Sequence, residues 1–522
     1  MKSKENKNKK IVFKDYDMQQ MSLPMSLEDL IPAGHVVRVV NEYIERMDLK
    51  PLLDKYKGGG SSSYHPKMML KVIIYAYTQK VYSSRKIAKG IRENIPFMWL
   101  SGNNWPDFRT INRFRSTYMK DVTEIVFADI LRMLVEDGYV KYEQYFLDGT
   151  KIEANSNRYR FVWAKSTKRY KDQLAQKVKK LFKEIDELNA KEDEEYDEFD
   201  LPEMGEQSTL TKEKLEQSIR ELNEKLAGKP HSKKMYRLMR ILKGDCLERQ
   251  QRYERYQEIL GDRNSFSKTD PDATFMRMKE DHMKNGQLKP AYNVQIGTEG
   301  QFILGYSIHQ NRTDTGCLID HLENLKQVNG HVPKQIIADA GYGSEENYLY
   351  LQQNRHEAYI KYNMFNKEQQ RKKRKDPFWI GNWPYDEERD EFECPQGNRL
   401  TYRYTQHGKT LHGYETETRV YECENCTGCP VKDQCTKAAG NRTLKRNIRA
   451  EALRKEARSK LLSDQGKLIY GRRKTEPEPV FGHLKWNRDF KRFLLRGLDK
   501  VRIEWGLLSF AHNILKVSAA RA

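Results

Sequence analysis

The chain has 522 residues, of which 38% are hydrophobic and 32% are charged, and its formal net charge is +20. This length exceeds that of one ordinary domain, and the apolar fraction is enough for a packed core beneath a heavily charged surface. The excess of lysine and arginine favours a polyanionic partner through counterion release. The apolar runs are too short to span a bilayer, and no apolar stretch follows the lysine-rich start. The sequence therefore predicts a cytoplasmic protein without a secretory signal, and composition alone leaves RNA binding open.

The first part of the chain is predicted to be helical. Residues 1–20 are polar and are expected to form a disordered tail. Residues 21–138 are expected to form an all-α domain, with one helix starting at Pro66, a second around Arg85 and a third after Pro106. Short helices with basic faces are compatible with a DNA-binding helix-turn-helix, but a plain helical bundle gives the same pattern.

After the helical region, predicted strands alternate with predicted helices, which indicates an α/β core with two insertions. Strands are predicted at 144–154, 291–296, 301–308, 335–339 and 358–362, with a hairpin turn at 297–300 and helices at 318–328 and 345–353. The predicted core comprises residues 139–164, 265–365 and 466–522. A charged helical hairpin over 165–264, with an acidic turn at 192–202, and a cysteine-rich subdomain over 366–465 interrupt it.

Two aspartates each follow a short apolar run and precede a small residue, Asp148 before Gly149 and Asp339 before Ala340. Acids at the mouth of a buried strand can project into a cleft. Mg²⁺ prefers such hard oxygen ligands, and two ions would activate an attacking oxygen and stabilise a leaving one. A strand-ending aspartate is more often a cap of a turn or helix, so these two residues alone do not decide the function.

A third acid, Glu478, lies in a predicted helix entered through Pro479. Glu478 and Lys485 are seven residues apart, so on a continuous α-helix they share one face. One would then bind metal while the other holds a phosphate. Further basic residues in this region are expected to bind phosphate: Arg473, Arg488, Lys491, Arg492 and Arg496.

Five cysteines cluster in the second insertion. Four thiolates from two loops form a closed tetrahedral zinc site. The favoured set is Cys394, Cys426, Cys429 and Cys435, with Cys423 as the alternative member. Such a Zn²⁺ site would be structural, and a cluster of free thiols remains open.

The chain resembles the DDE transposases of bacterial insertion sequences over most of its length. Five segments carry the resemblance: 106–115, 146–150, 290–295, 338–342 and 478–482. The resemblance implies an RNase H-like core in which Asp148, Asp339 and Glu478 bind two Mg²⁺ (or Mn²⁺) ions.

A tyrosine–arginine–glutamate–lysine signature marks many members of that family. By the same resemblance it falls on Tyr470, Arg473, Glu478 and Lys485. Four residues separate the arginine from the glutamate here, where the family has three. Arg472 and Lys474 therefore remain alternatives for the arginine, and Glu476 remains an alternative for the glutamate.

The implied activity is metal-dependent cleavage at a transposon end, followed by attack of the freed 3′-hydroxyl on target DNA. The implied partners are double-stranded DNA, both transposon ends and target, and a second copy of the chain, because two ends are joined. This activity would place the protein at the nucleoid. The alternatives are a non-catalytic DNA-binding protein derived from a transposase and a basic RNA-associated scaffold.

Overall fold

The computed structural model describes residues 26–56, 63–193, 210–225, 232–278, 286–410 and 413–522. The predicted tail at 1–20 and most of the acidic turn at 192–202 lie outside these ranges. Within them the chain is a mixed α/β protein, which confirms the predicted fold class at that level.

The helices are distributed along the whole chain. In chain order they are α1 Val36–Arg46, α2 Lys50–Leu53, α3 Pro66–Thr78, α4 Ser84–Glu93, α5 Ile95–Ser101, α6 Phe108–Arg113, α7 Thr123–Glu136, α8 Ala164–Asp193, α9 Lys212–Lys225, α10 Lys233–Arg240, α11 Leu247–Leu260, α12 Leu318–Asn329, α13 Glu345–Gln353, α14 Phe365–Glu368, α15 Arg371–Arg374, α16 Lys432–Cys435, α17 Ile448–Leu462, α18 Asp464–Gly471, α19 Pro477–Gly482 and α20 Leu498–Arg521. Three π-helical turns, Phe114–Tyr118, Ile241–Cys246 and His483–Asn487, each continue the α-helix before them. No helix in the described ranges is both long enough and apolar enough to cross a membrane.

The strands form three sheets. In chain order they are β1 Gln144–Glu153, β2 Phe161–Trp163, β3 Ser265–Ser267, β4 Thr274–Arg277, β5 Leu288–Glu299, β6 Phe302–His309, β7 Gln335–Ala338, β8 Glu357–Ile360, β9 Tyr385–Asp386, β10 Glu391–Glu393, β11 Arg399–Lys409, β12 Glu415–Cys423 and β13 Thr443–Arg446. Among the described strands, β2 pairs only with β3, and β9 to β13 form a small antiparallel sheet of their own.

The N-terminal helices follow the predicted pattern. Pro66 occupies the first turn of α3, where its missing N–H costs nothing, and His65 accepts a hydrogen bond from the Lys67 N–H as the cap. α3 is buried along nearly its whole length because α1, α5 and the C-terminal α20 pack around it. The first and last parts of the chain therefore share one hydrophobic core.

The large sheet is mixed. β1 is central, antiparallel to β5 on one side and parallel to β7 on the other, and β7 is parallel to β8. β5 pairs on its far edge first with β4 and then with β6. The turn between β5 and β6 is shorter than predicted, because pairing continues to Glu299 opposite Phe302. Only Gly300 and Gln301 remain in the turn, and both have positive φ, as a tight two-residue hairpin requires.

The charged insertion differs from the predicted two-helix hairpin. Its first long helix is α8, but the second predicted helix is divided into α9, α10 and α11. Aliphatic and methionine side chains from these segments form a hydrophobic cluster separate from the main core: Leu174, Val178, Leu181, Ile185, Leu215, Ile219, Leu222, Met235, Leu238 and Leu242. The partial helical periodicity of the sequence reflects this local core.

Candidate active site

The register of β1 and β7 places two aspartates side by side. Leu147 lies opposite Ala338 in this parallel pair, so Asp148 and Asp339 are the next residues along each chain. Asp339 directly follows β7, as predicted for an acid at a strand end. Asp148 does not end its strand: β1 continues to Glu153, paired with β5. The prediction that Asp148 ends a strand is therefore wrong, and it is the shorter partner β7 that opens the edge of the sheet there.

Backbone N–H groups orient both carboxylates. The Gly149 N–H donates to Asp148 Oδ1 at 2.9 Å, and the Gly341 N–H donates to Asp339 Oδ1 at 2.8 Å. Asp339 thereby caps the short 3₁₀ turn Ala340–Tyr342. Asp339 therefore both caps this turn and lies beside Asp148.

Glu478 lies on α19, which begins at Pro477 rather than at Pro479 as predicted. The helix passes into a π-helical turn at His483, where each hydrogen bond spans one residue more. A spacing of seven residues then no longer returns to the same face. The Glu478 side chain is 52% exposed, whereas Lys485 is buried.

Arg473 joins the acids of the sheet to the acid of the helix. Its guanidinium lies 3.8 Å from Asp148 Oδ2 and 3.5 Å from Glu478 Oε1. Burial alone would lower the pKa of Arg473, but Tyr470 and the carboxylates of Asp148, Asp339 and Glu478 outweigh it and raise that pKa. Asp148 and Glu478 therefore both lie within 4 Å of one guanidinium, and Asp339, next to Asp148 in the register of the sheet, interacts with it electrostatically.

The neighbouring pair, Arg472 and Glu476, lies elsewhere. Glu476 is 5% exposed; its carboxylate pairs with Arg472 at 2.9 Å and accepts the Gln301 N–H at 2.9 Å. Arg472 also donates to Gln144 and lies over the ring of Phe146. Arg472 and Glu476 were alternatives for the arginine and the glutamate of the signature. Their contacts instead hold the segment before α19 against the sheet.

Arg488 and Arg492 were predicted to bind phosphate, yet both make intramolecular contacts. Arg488 is buried and donates to the carbonyls of Tyr77 and Thr78 in α3. Arg492 donates to the carbonyls of Ala154 and Ser156, beyond the end of β1. These contacts fasten the segment after α19 to other parts of the chain and do not favour phosphate binding.

Two family models match the chain. Residues 25–117 match a transposase domain (DUF772), and residues 393–518 match a transposase DDE domain. Both matches indicate a DDE transposase. The DDE match includes Glu478 and all five clustered cysteines but neither Asp148 nor Asp339, so those two aspartates rest on the register of the sheet. No curated protein and no solved structure matches the chain.

Beneath Asp148, the transposase has a polar layer to which sequence reasoning assigned no role. Asp314 Oδ1 accepts hydrogen bonds from the amides of Asn293, at 2.8 Å, and Gln295, at 2.9 Å. The Gln295 amide oxygen in turn accepts from the Tyr342 hydroxyl. Burial, and then the carboxylates of Asp314, Asp148 and Asp339, raise the pKa of Tyr342, so its hydroxyl stays protonated as a donor. Asn293 and Gln295 lie in the 290–295 segment that carries the family resemblance, so the sequence did point to them. No motif in the sequence pointed to Asp314.

Gly149 has no room for a side chain. A Cβ there would lie 2.3 Å from Gln295 Nε2 and 2.8 Å from Asp314 Oδ1, and both atoms are fixed by their mutual hydrogen bond. We expect Gly149→Ala to displace Asp148 and lower DNA cleavage at least about tenfold, with a stability loss of about 1–3 kcal/mol. Gly471→Ala, beside Tyr470 but with open space around its Cβ, is the matched control. Full cleavage by Gly149→Ala would show that this packing does not position Asp148.

DDE transposases generally depend on divalent metal, and the three carboxylates offer the oxygen donors that Mg²⁺ prefers. Their convergence on Arg473 fits such a site chemically. In the described ranges, however, no group of three or more acidic, histidine or cysteine side chains has the arrangement of a formed metal site.

The cysteines surround one end of the small antiparallel sheet. Cys423 and Cys426 are buried, and Cys394 and Cys435 pack against the same cluster. Burial, and then the hydrogen bond to Cys426, raise the pKa of Cys423 to about 12. The Arg442 N–H donates to Cys426 Sγ at 3.4 Å, a contact that would suit a thiolate. The thiols are close neighbours without forming a metal-binding arrangement, so Zn²⁺ stays a prediction.

The zinc prediction is tested by metal content. We expect the purified chain to carry about one equivalent of zinc and Cys426→Ser to lose it, because each thiolate supplies one of four ligands. Cys246→Ala, which removes a buried thiol from the separate core of the helical insertion, should retain zinc. Zinc-free wild-type protein, prepared without chelator, would favour the free-thiol alternative.

Proposed function

We propose that this transposase cleaves DNA at the ends of an insertion sequence and joins the freed 3′-hydroxyl to target DNA, with Asp148, Asp339 and Glu478 as catalytic residues. The observation that carries the proposal is the meeting of the three acids around Arg473. A non-catalytic relative that only binds DNA would gain nothing from this arrangement. The mixed sheet, with Asp148 on its central strand and Asp339 after the parallel neighbour, also supports an RNase H-like core.

Each group in the site has a distinct part in the proposal. The three carboxylates would hold two Mg²⁺ (or Mn²⁺) ions, which when bound activate the attacking oxygen and stabilise the leaving one. Arg473 offsets the carboxylate charge, so that a phosphodiester can approach without strong repulsion. Tyr470 lies beside Arg473. Burial raises the pKa of Tyr470 by more than the nearby charge of Arg473 lowers it, so the Tyr470 hydroxyl is a neutral hydrogen-bond donor. The Asp314 layer packs against Gly149 and would thereby hold the strand at the neighbouring Asp148 in place.

The proposal includes double-stranded DNA as the substrate and a homodimer on DNA, since two ends are to be joined. The test uses the DNA that flanks the gene, where inverted repeats would define the ends. With labelled end DNA and Mg²⁺, we expect a nick that leaves a 3′-hydroxyl, and no nick when EDTA replaces the metal. Absence of cleavage with both Mg²⁺ and Mn²⁺ on DNA that the protein binds would contradict the proposal.

A further inference from the structure

A basic groove of about 500 Å³ lies between the N-terminal helices and the segment that follows the catalytic helix. The start of α4, helix α6 and the residues Leu494 and Leu495 form its walls. Its lining includes the exposed residues Arg85, Arg109, Asn112 and Arg113. No aspartate or glutamate is among the described residues that line it. The groove therefore concentrates positive charge, apart from the acids around Arg473.

Ring contacts hold the arginines of the groove. Arg85 and Arg109 both lie over the ring of Phe108, at 5.0 and 5.7 Å from its centre, and Arg113 lies 5.8 Å from the ring of Tyr118. In the part of the chain that the structure describes, none of the three has a carboxylate within 4.0 Å. The carboxylate next in sequence, Asp107, accepts the Thr110 N–H as the cap of α6. Guanidinium groups held in this way suit the planar, two-point hydrogen bonding of a phosphate.

The walls of the groove are rigidly attached to the core. Arg115, buried beneath it, donates to the Tyr77 hydroxyl, the Tyr82 carbonyl and the Ser84 hydroxyl. On the opposite wall, the N–H groups of Leu494 and Leu495 donate to the buried carboxylate of Glu504 at 3.0 and 2.9 Å. A groove built on such contacts keeps its shape without a ligand.

The same wall is tied to the strand that carries Asp148. The Phe493 N–H donates to the Glu153 carbonyl, and the Asn155 amide donates to the Leu494 carbonyl. From Asp148 to Glu153 the strand extends roughly 17 Å, at about 3.4 Å per residue. In B-DNA, with a rise of about 3.4 Å per base pair, this corresponds to about five base pairs.

We infer that this groove binds the sugar–phosphate backbone of double-stranded DNA, on the order of five base pairs or more from the bond that is cut. The inference rests on the proposed function for the identity of the polyanion as DNA. Guanidinium groups that lie on aromatic rings and have no carboxylate partner among the described residues suit contacts with phosphate, which fix the register of the duplex and carry no sequence information. The groove would hold the duplex while the three acids act on the scissile bond.

The test measures binding, in full-length protein, of a labelled duplex of about 30 base pairs over a range of salt concentrations. For Arg85→Gln/Arg109→Gln/Arg113→Gln we expect affinity to fall on the order of 100-fold at about 0.1 M salt, and the slope of log affinity against log salt to become shallower by about three. The control, Arg220→Gln/Arg237→Gln/Lys243→Gln, removes the same charge from exposed positions of the helical insertion. It should change affinity by less than about threefold, and both variants should melt like the wild type because the replaced side chains are exposed.

Equal losses in the two triple variants would overturn the inference, because they would show only an effect of net charge. Stronger binding of an RNA duplex than of the DNA duplex would also overturn it. Cleavage separates this inference from the proposed function. If the groove variant binds normally while the wild type cuts DNA, the groove assignment fails and the function stands. If the groove governs binding but the wild type never cuts, the function fails and the groove stands.

Discussion

Replacing Asp148 with asparagine should reduce metal-dependent cleavage of end DNA by at least about a thousand-fold, because the reaction loses a charged ligand at its centre. Asparagine keeps the shape and the acceptor oxygen that receives the Gly149 N–H, so the fold should be retained. Affinity for the same DNA should stay within about threefold, since the basic groove lies elsewhere. The measurement is single-turnover cleavage beside equilibrium binding. Glu478→Gln and Asp339→Asn should behave alike.

The control for this series is Asp320→Asn, which changes an exposed aspartate in the first turn of α12. It should cleave at the wild-type rate. Retained metal-dependent cleavage by Asp148→Asn or Asp148→Ala protein would remove Asp148 from the catalytic set. Loss of DNA binding together with cleavage would instead show that the carboxylate maintains the structure.

Glu476 and Glu478 are two residues apart, and their replacement should have opposite effects. Glu476→Ala leaves the Gln301 N–H and the Arg472 guanidinium without their acceptor, which should cost about 2 kcal/mol in the free energy of unfolding. Arg472 is about half exposed, and water will satisfy part of its loss. Glu478→Ala removes a half-exposed side chain and should leave the unfolding midpoint in urea nearly unchanged.

The two variants are compared by urea unfolding and by cleavage below the transition of the weaker protein. Glu476→Ala should cleave within about tenfold of the wild type once it is folded, whereas Glu478→Ala should not cleave. The reverse pattern, a stable but inactive Glu476→Ala protein beside an active Glu478→Ala protein, would move the third catalytic acid to Glu476.

Much of the fold could be predicted from local patterns. Pro66 marked the start of α3, and the apolar run before Asp339 marked β7, because proline at a first helical turn and a buried parallel strand have clear sequence signatures. The point beside Asp148 at which the partner strand β7 stops was not predictable, because the residues of β1 carry no trace of it.

The basic residues around the site show the same limit. Arg488 and Arg492 have the charge of phosphate ligands, but tertiary contacts with the carbonyls of Tyr77 and Ala154 decide their role. Lys485 was predicted to share a helix face with Glu478 on the assumption of a regular α-helix. The π-helical turn at His483–Asn487 has more residues per turn and so changes the direction of Lys485 relative to Glu478. Asp314 lies far in sequence from Gly149, and the two come together only in the folded sheet. Such relations depend on the assembled fold.

Strand transfer by the three acids around Arg473 can be measured apart from the first cut. The protein is given end DNA that already has a free 3′-hydroxyl, a target plasmid and Mg²⁺, and covalent joining is measured. We expect joined products with wild-type protein and none with Asp148→Asn, Asp339→Asn or Glu478→Gln, although all four proteins bind the end DNA. Joining that persists in any of these three variants would show that the replaced acid does not take part in strand transfer.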